Sequence, residues 1–259
     1  MEEKINKIAQ MIAASSRVVV FTGAGISTES GIPDFRGPGG LWTKVDPNDF
    51  TIDKFLSSET TRRRMWQRMR EGGLMADAQP NLAHLAIVEL EKMGKLNSVI
   101  TQNVDYLHQK AGNAQEIVYE LHGNMQWLVC LDCRNRYPIE IVKQNFPSPD
   151  HVPTCAACGG ILKPDVILFG EALPQHTLMR ASQEAQSCDL LIVIGSSLVV
   201  YPAAYMPLYA KRSGASIVII NNEPTEQDDI ADVLINAPAG ETMTRILERL
   251  KTLIVFREE

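Results

Sequence analysis

The sequence is short of aromatic residues, at 6%, and has no excess of positive charge. Its 25 Lys and Arg stand against 31 Asp and Glu, a net charge of −6. An acidic chain lacks the overall electrostatic footprint of a nucleic-acid or anionic-membrane binder, though a local basic patch stays open. Gly and Pro number only 17 and 14 in 259 residues, and 45% of the chain is hydrophobic, which excludes collagenous and disordered classes. The first residues carry Glu2 and Glu3 where a secretory leader would be basic, so no leader is expected. The run Leu190–Ala210 has no charge over 21 residues, but Gly195-Ser196-Ser197, Pro202 and Pro207 break it. It reads as a buried strand, a turn and a loop-helix, not a membrane span. A soluble, cytoplasmic chain is expected, with one large domain and a sizeable insertion.

Cysteine is scarce, and its placement is uneven. Four of the five residues form Cys130-x-x-Cys133 and Cys155-x-x-Cys158, and Cys188 stands alone before a hydrophobic run. Two such pairs in an intracellular chain favour a structural zinc site, since four thiolates complete a closed tetrahedron. Redox chemistry would need only one pair. Cys188 is expected to be an inert core thiol.

Ile5, Ile8, Met11 and Ile12 recur at helical spacing and predict a helix over 2–14. Short apolar runs follow at Val18–Phe21, Ser98–Thr101, Ile117–Leu121, Val166–Phe169, Leu190–Ile194, Ile217–Ile220 and Asp232–Ile235, with helical stretches such as Leu82–Met93 between them. That alternation predicts an α/β fold with a doubly wound parallel sheet. The polar, basic stretch 38–78 and the cysteine segment 126–162 interrupt it. The cysteine segment looks like an inserted zinc module.

The first strand runs into Gly23-Ala24-Gly25, a nucleotide-phosphate signal if a helix start follows. The third Gly of a dinucleotide fingerprint is absent, with Thr28 in its place, and no acidic residue ends a second strand about 20 residues on. A turn used only for tight packing would look the same. Ser196 and Ser197 follow the strand at 190–194, and Asn221-Asn222-Glu223 follow the one at 217–220. Both are placed to bond ribose or phosphate. Asn103 and Asp105 alternate after a strand end, and His122, after another, is the side chain best suited to take a proton at neutral pH. His84 and His108 lie in predicted helices and His151 and His176 in loops, so a structural or solvated role is expected for each.

Taken together, Gly23-Ala24-Gly25-Ile26-Ser27, Gly31-Ile32-Pro33-Asp34-Phe35-Arg36, Thr101-Gln102-Asn103-Val104-Asp105, Leu121-His122-Gly123-Asn124, both cysteine pairs, Phe169-Gly170-Glu171, Gly195-Ser196-Ser197 and Asn221-Asn222-Glu223 resemble, in order, the sirtuin family of NAD-dependent protein deacylases. The resemblance implies a Rossmann-like NAD-binding domain over 1–37, 79–125 and 163–259, and a smaller domain made of a helical insertion (38–78) and a zinc ribbon (126–162). It also implies NAD as co-substrate, a structural zinc on Cys130, Cys133, Cys155 and Cys158, and an acyl-lysine protein or peptide as partner. By motif position, Gly23, Ala24, Gly25, Ser27, Asp34, Phe35 and Arg36 would contact NAD. Gln102, Asn103 and Asp105 would surround the nicotinamide ribose and carboxamide. Gly195, Ser196 and Ser197 would lie on the pyrophosphate side, Asn221, Asn222 and Glu223 by the adenosine ribose. Ala239, in a Gly-like turn, would touch adenine.

The chemistry so implied transfers the acyl group to ADP-ribose. The acyl oxygen attacks the ribose carbon as nicotinamide leaves, His122 activates a ribose hydroxyl, and water yields lysine and O-acyl-ADP-ribose. Asn103 would orient ribose or water, and Phe35 would shield the intermediate. The substrate would add as a strand between Phe169-Gly170-Glu171 and Leu198-Val199-Val200. A Tyr-x-x-Arg pair that binds acidic acyl groups in one branch would fall near Met69 and Gly72, and neither matches. Met65, Trp66 and Met69 suggest either an apolar acyl wall or plain helix packing, and Arg62-Arg63-Arg64 a solvated helix face. Alternatives are an ADP-ribosyltransferase or NAD glycohydrolase on the same scaffold, a zinc-ribbon binding module, and a dehydrogenase.

Overall fold

The protein is described by a computed structural model over residues 1–70, 77–141 and 151–258. In chain order, α1 is Glu2–Ala14, β1 Val18–Thr22, α2 Ile52–Ser57, α3 Glu59–Arg70, α4 Leu82–Lys92 and β2 Leu96–Thr101. Then come α5 (Leu107–Ala111), β3 (Val118–Glu120), β4 (Gly123–Cys130), β5 (Arg136–Pro138) and β6 (Leu162–Val166). The chain continues through α6 (Gln175–Ser187), β7 (Leu190–Ile194), α7 (Tyr205–Arg212), β8 (Ser216–Ile220), β9 (Val233–Ile235) and α8 (Ala239–Glu258). Among the described residues no helix is long and apolar enough to cross a membrane.

All five side chains of β1 are buried, because helices cover both faces of its sheet. Val18 and Val20 join Ile8 and Ile12 of α1, Ile87 of α4 and Ile246 of α8 in one core. Val19 and Phe21 point the other way, toward Ala181 of α6 and Met206 of α7. The two-residue alternation of a strand thus feeds two cores from one run of apolar residues.

The six-stranded sheet has the order β3-β2-β1-β7-β8-β9, and all its pairs are parallel. Winding reverses between β1 and β7, which pair in register from Val18↔Leu190 to Thr22↔Ile194. In such sheets a ligand crevice opens beyond the carboxyl ends of the strands at that reversal.

A second, antiparallel sheet has the order β5-β4-β6. Trp66 of α3 is fully buried against it, among Leu128, Cys130, Ile139, Cys155 and Leu162. Trp66 therefore fastens the helical insertion to the cysteine-bearing sheet and does not wall an acyl pocket, while Met65 packs with Phe55 and Leu168. Glu71 and Gly72, and positions 142–150 between the cysteine pairs, lie outside the described residues.

Three other expectations are corrected. The run Val166–Phe169 is not a strand of the parallel sheet. Only Val166 is in a strand, β6, which pairs antiparallel with β4, and Phe169 forms a lone bridge with Thr51. Arg62-Arg63-Arg64 is not merely a solvated face. Arg62 donates to the carbonyls of Phe55 and Leu56, capping α2, and Arg64 donates to the buried Asp49 at 2.9 Å. His176 lies in the first turn of α6 and not in a loop.

Candidate active site and zinc centre

Five strand ends deliver the predicted residues to the crevice side of the sheet. Gly23 follows β1, Gln102 follows β2, His122 lies just past β3, Gly195 follows β7 and Asn221 follows β8. Gln102 ties four of these ends together. Its N–H donates to the Thr22 carbonyl at 3.0 Å, its Nε2 donates to Ser196 Oγ at 2.9 Å, and its carbonyl lies 3.0 Å from His122 Nδ1. A carbonyl only accepts, so Nδ1 carries the proton and Nε2 keeps a free lone pair. Burial lowers the His122 pKa, opposed by the bond to Gln102, and keeps the ring neutral near pH 7.

Beside it, Asn103 Nδ2 donates to the Gly23 carbonyl at 3.1 Å and to Ser27 Oγ at 3.3 Å. Ser27 Oγ in turn donates to Asp105 at 2.7 Å, and the other Asp105 oxygen accepts the Leu107 N–H. Burial raises the Asp105 pKa, and these two bonds pull it back. Gly23, Ser27, Gln102, Asn103, Asp105, His122 and Ser196 therefore form one hydrogen-bonded group. Its floor continues inward through Thr101, which supports the Asn103 N–H, to Thr22 and the buried His108.

The glycine turn differs from the expected helix start. After Gly23 the chain makes a 3₁₀ segment, Ala24–Ser30, closed by Gly31. The Gly25 N–H is spent on the Gly195 carbonyl at 2.8 Å. A Cβ on Gly23 would meet that same oxygen at 2.8 Å, so loop-on-loop packing by itself requires glycine here. What favours a dinucleotide is the polar group around the turn, at the sheet's reversal.

Phe35 and Phe169, both exposed, flank Trp42, with ring centroids 5.1 and 5.9 Å from it, and Phe50 packs edge-on at 5.4 Å. Trp42 and Phe50 escaped the sequence reading because they lie in an insertion without periodicity. The available signal was that Trp42 is one of three tryptophans in an aromatic-poor chain. Asp34 accepts the Gly37 N–H and so shapes the same loop, while Arg36 is exposed.

The other predicted residues stand apart from the group. Ser197 accepts the Glu226 N–H, and Asn221 Nδ2 donates to the Glu223 carbonyl, with Asn222 and Glu223 exposed. Ala239 is the buried first residue of α8, not part of a turn. Leu198, at φ +58°, buries its side chain in the core, so only its backbone is offered to a ligand. Phe169 uses its N–H and carbonyl on Phe50 and Ile52, and the Glu171 carboxylate is bound to Lys163.

The four paired cysteines converge, with all Sγ atoms within 4.8 Å of one another. The separations of 3.5 Å for Cys130–Cys158 and 3.6 Å for Cys133–Cys155 far exceed a disulfide of about 2.05 Å. They approach the roughly 3.8 Å edge of a tetrahedron with Zn–S bonds of about 2.3 Å. These thiols fit one structural zinc with no open position. Cys188 is buried apart from them, its thiol pushed up to about 12 by burial and Asp189.

The family model of the Sir2 family matches residues 23–202. The chain belongs to the Sir2 family. It is 48% identical to NAD-dependent protein deacylase 2 of Archaeoglobus fulgidus over 98% of each chain, and 47% identical to an NAD-dependent protein deacetylase of Rhodopseudomonas palustris over 92% of this chain and 94% of that one. A solved Sir2 enzyme with a p53 peptide and NAD+ superposes with a TM-score of 0.85 at 40% identity, covering 95% of this chain and 98% of that one. As a Sir2 protein the chain has both parts the sequence pointed to, a Rossmann-like sheet and a cysteine-bearing ribbon.

Proposed function

We propose that this Sir2 protein is an NAD-dependent protein-lysine deacetylase that passes the acyl group of lysine to ADP-ribose and releases nicotinamide. The observation that carries the reading is His122, held by Gln102 with its basic nitrogen free at the reversal of a parallel sheet. The relatives named above act with NAD on proteins, and the solved relative holds peptide and NAD+ together.

Bound NAD would supply a ribose carbon activated by a departing nicotinamide. The chain's own residues would do the rest. Asp105 would accept from the carboxamide, and Asn103, fixed to Gly23 and Ser27, would orient the ribose or a water. His122 Nε2 would take the proton of a ribose hydroxyl. Phe35, with Trp42 behind it, would exclude water. Gly23, Ala24, Gly25, Arg36, Gly195, Ser196 and Ser197 would line the pyrophosphate, and Asn221, Asn222, Glu223 and Ala239 the adenosine end. An extended peptide would run between Gly170 and the backbone of Leu198 and Val199. In this division 1–37, 79–125 and 163–259 bind NAD, while 38–78 and 126–162 form the smaller domain.

The test is incubation of an acetyl-lysine peptide with and without NAD, with mass spectrometry of the products. O-acetyl-ADP-ribose formed only with NAD is the expected result. Plain ADP-ribose, or ADP-ribosylated protein without deacetylation, would replace this reading with the glycohydrolase or transferase one.

A further inference from the structure

Lys163 is a lysine only 3% exposed, and both its partners lie just downstream in the chain. From β6 its Nζ donates to the Val166 carbonyl and, at 2.9 Å, to Glu171 Oε2. The same carboxylate oxygen accepts the Leu168 N–H at 2.8 Å, and the Glu171 N–H donates back to the Leu168 carbonyl. One buried ion pair therefore closes the loop 166–171, with Gly170 exposed at its corner at φ +89°. Outside that closure, Phe169 is pinned by its two backbone bonds to Phe50 and Ile52.

Burying an ammonium is costly, and an ordinary surface turn needs no such group. Here it fixes a stretch whose backbone groups are otherwise assigned. Those of Phe169 and the N–H groups of Leu168 and Glu171 are used internally. Gly170 is left as the residue whose N–H and carbonyl have no partner among the described residues.

We propose that Lys163 is a positioning residue for the acyl-lysine peptide: through Glu171 it sets the Gly170 backbone as one rail for strand pairing. This rests on the reading of Gly170 and Leu198–Val199 as substrate rails. It also means that Glu171 Oε2 acts through the loop, since Lys163 and the Leu168 N–H both occupy it.

The experiment compares wild type, Lys163→Arg, Lys163→Met and the charge-free pair Lys163→Met with Glu171→Gln. The pair guards against misfolding from an unpaired buried carboxylate. Steady-state kinetics on an acetyl-lysine peptide are read beside NAD affinity, thermal melting and hydrogen exchange of residues 167–171. In the charge-free pair, peptide KM is expected to rise tenfold or more, with NAD affinity and melting close to wild type and loop exchange faster. Lys163→Arg should recover most of the peptide affinity, which a purely structural role would not require. An unchanged KM in the folded pair, with the wild-type loop protected by peptide, would overturn the role of Lys163 alone. No protection of 167–171 by peptide in wild type would overturn the substrate-rail reading and this proposal with it.

Discussion

The Nδ1 atom of His122 lies 3.0 Å from the backbone carbonyl of Gln102, a residue whose own N–H is held by Thr22 and whose side chain is held by Ser196. The tautomer of the base is thus set by the same residue that joins β1 and β7 at the sheet's reversal. His122→Ala is expected to lower kcat/KM for deacetylation by about 10²–10⁴-fold while NAD still binds. Peptide kinetics beside a direct NAD titration check this, with melting to confirm the fold.

The pH profile follows from the same contact. Burial holds the His122 pKa below 6.5, and the base works only when neutral. Deacetylation should therefore rise with pH and level off, with its acid limb centred below about 6.5. A kcat/KM profile with that limb above pH 7 would remove His122 as the base.

Two groups, the buried His84 on α4 and the half-buried Glu120 on β3, oppose one another in pH-dependent stability. His84 is lowered from 6.5 to about 4 by burial, so the unfolded chain binds the extra proton and stability falls as pH drops from 6.5 toward 4. Glu120 is raised from 4.5 to about 7, mainly by burial, so stability falls instead as pH rises from 4.5 toward 7. Each shift is worth about 3 kcal/mol at roughly 1.36 kcal/mol per unit. Glu120→Gln keeps an oxygen for Asn124 and should stabilise the protein by up to about 3 kcal/mol at pH 8. At pH 4 it should have little effect. Urea unfolding at the two pH values checks the sign.

The cysteine centre predicts a structural, not a chemical, dependence on metal. Replacing Cys155, which is buried beside Leu128 and Trp66, should loosen the small sheet and the helix α3 docked on it. Lower melting and lower activity are expected together. Metal analysis of the wild-type protein should give about one zinc per chain, since such sites bind tightly.

The ends of β1, β7 and β8 were legible because buried strands read as continuous apolar runs, whereas Asn103, Asp105 and His122 follow β2 and β3, whose runs are mixed and only partly buried. The small sheet was not legible in the same way. β6 reads Leu-Lys-Pro-Asp-Val, and its pairing with β4 buries Lys163 with a partner eight residues away, which no local propensity anticipates. Trp66 looked like a ligand wall or a packing residue with equal reason. Its neighbours come from a cysteine segment some 60 residues on, so only tertiary contact decides between them. Arg64 read as solvated because its partner, Asp49, lies 15 positions back across a turn.

Acyl choice follows from where those arginines point. Arg64 and Arg68 both lie by Asp49, Arg68 also stacks 5.5 Å over the Phe50 ring, and Arg62 caps α2. The rings nearest the proposed substrate loop, Phe35, Trp42, Phe50 and Phe169, form an apolar cluster. An acetyl or butyryl group would be accommodated against them, whereas a succinyl carboxylate would find Arg64 and Arg68 already paired with Asp49, at a cost of several kcal/mol. Since about 1.4 kcal/mol is tenfold in rate, acetyl-lysine should be turned over at least about 10²-fold faster than succinyl-lysine. Matched peptides compared by kcat/KM at saturating NAD give the answer. Equal rates would require one of these arginines to leave Asp49 for the pocket, and Asp49→Asn, which frees Arg64 and Arg68, should then raise desuccinylation further.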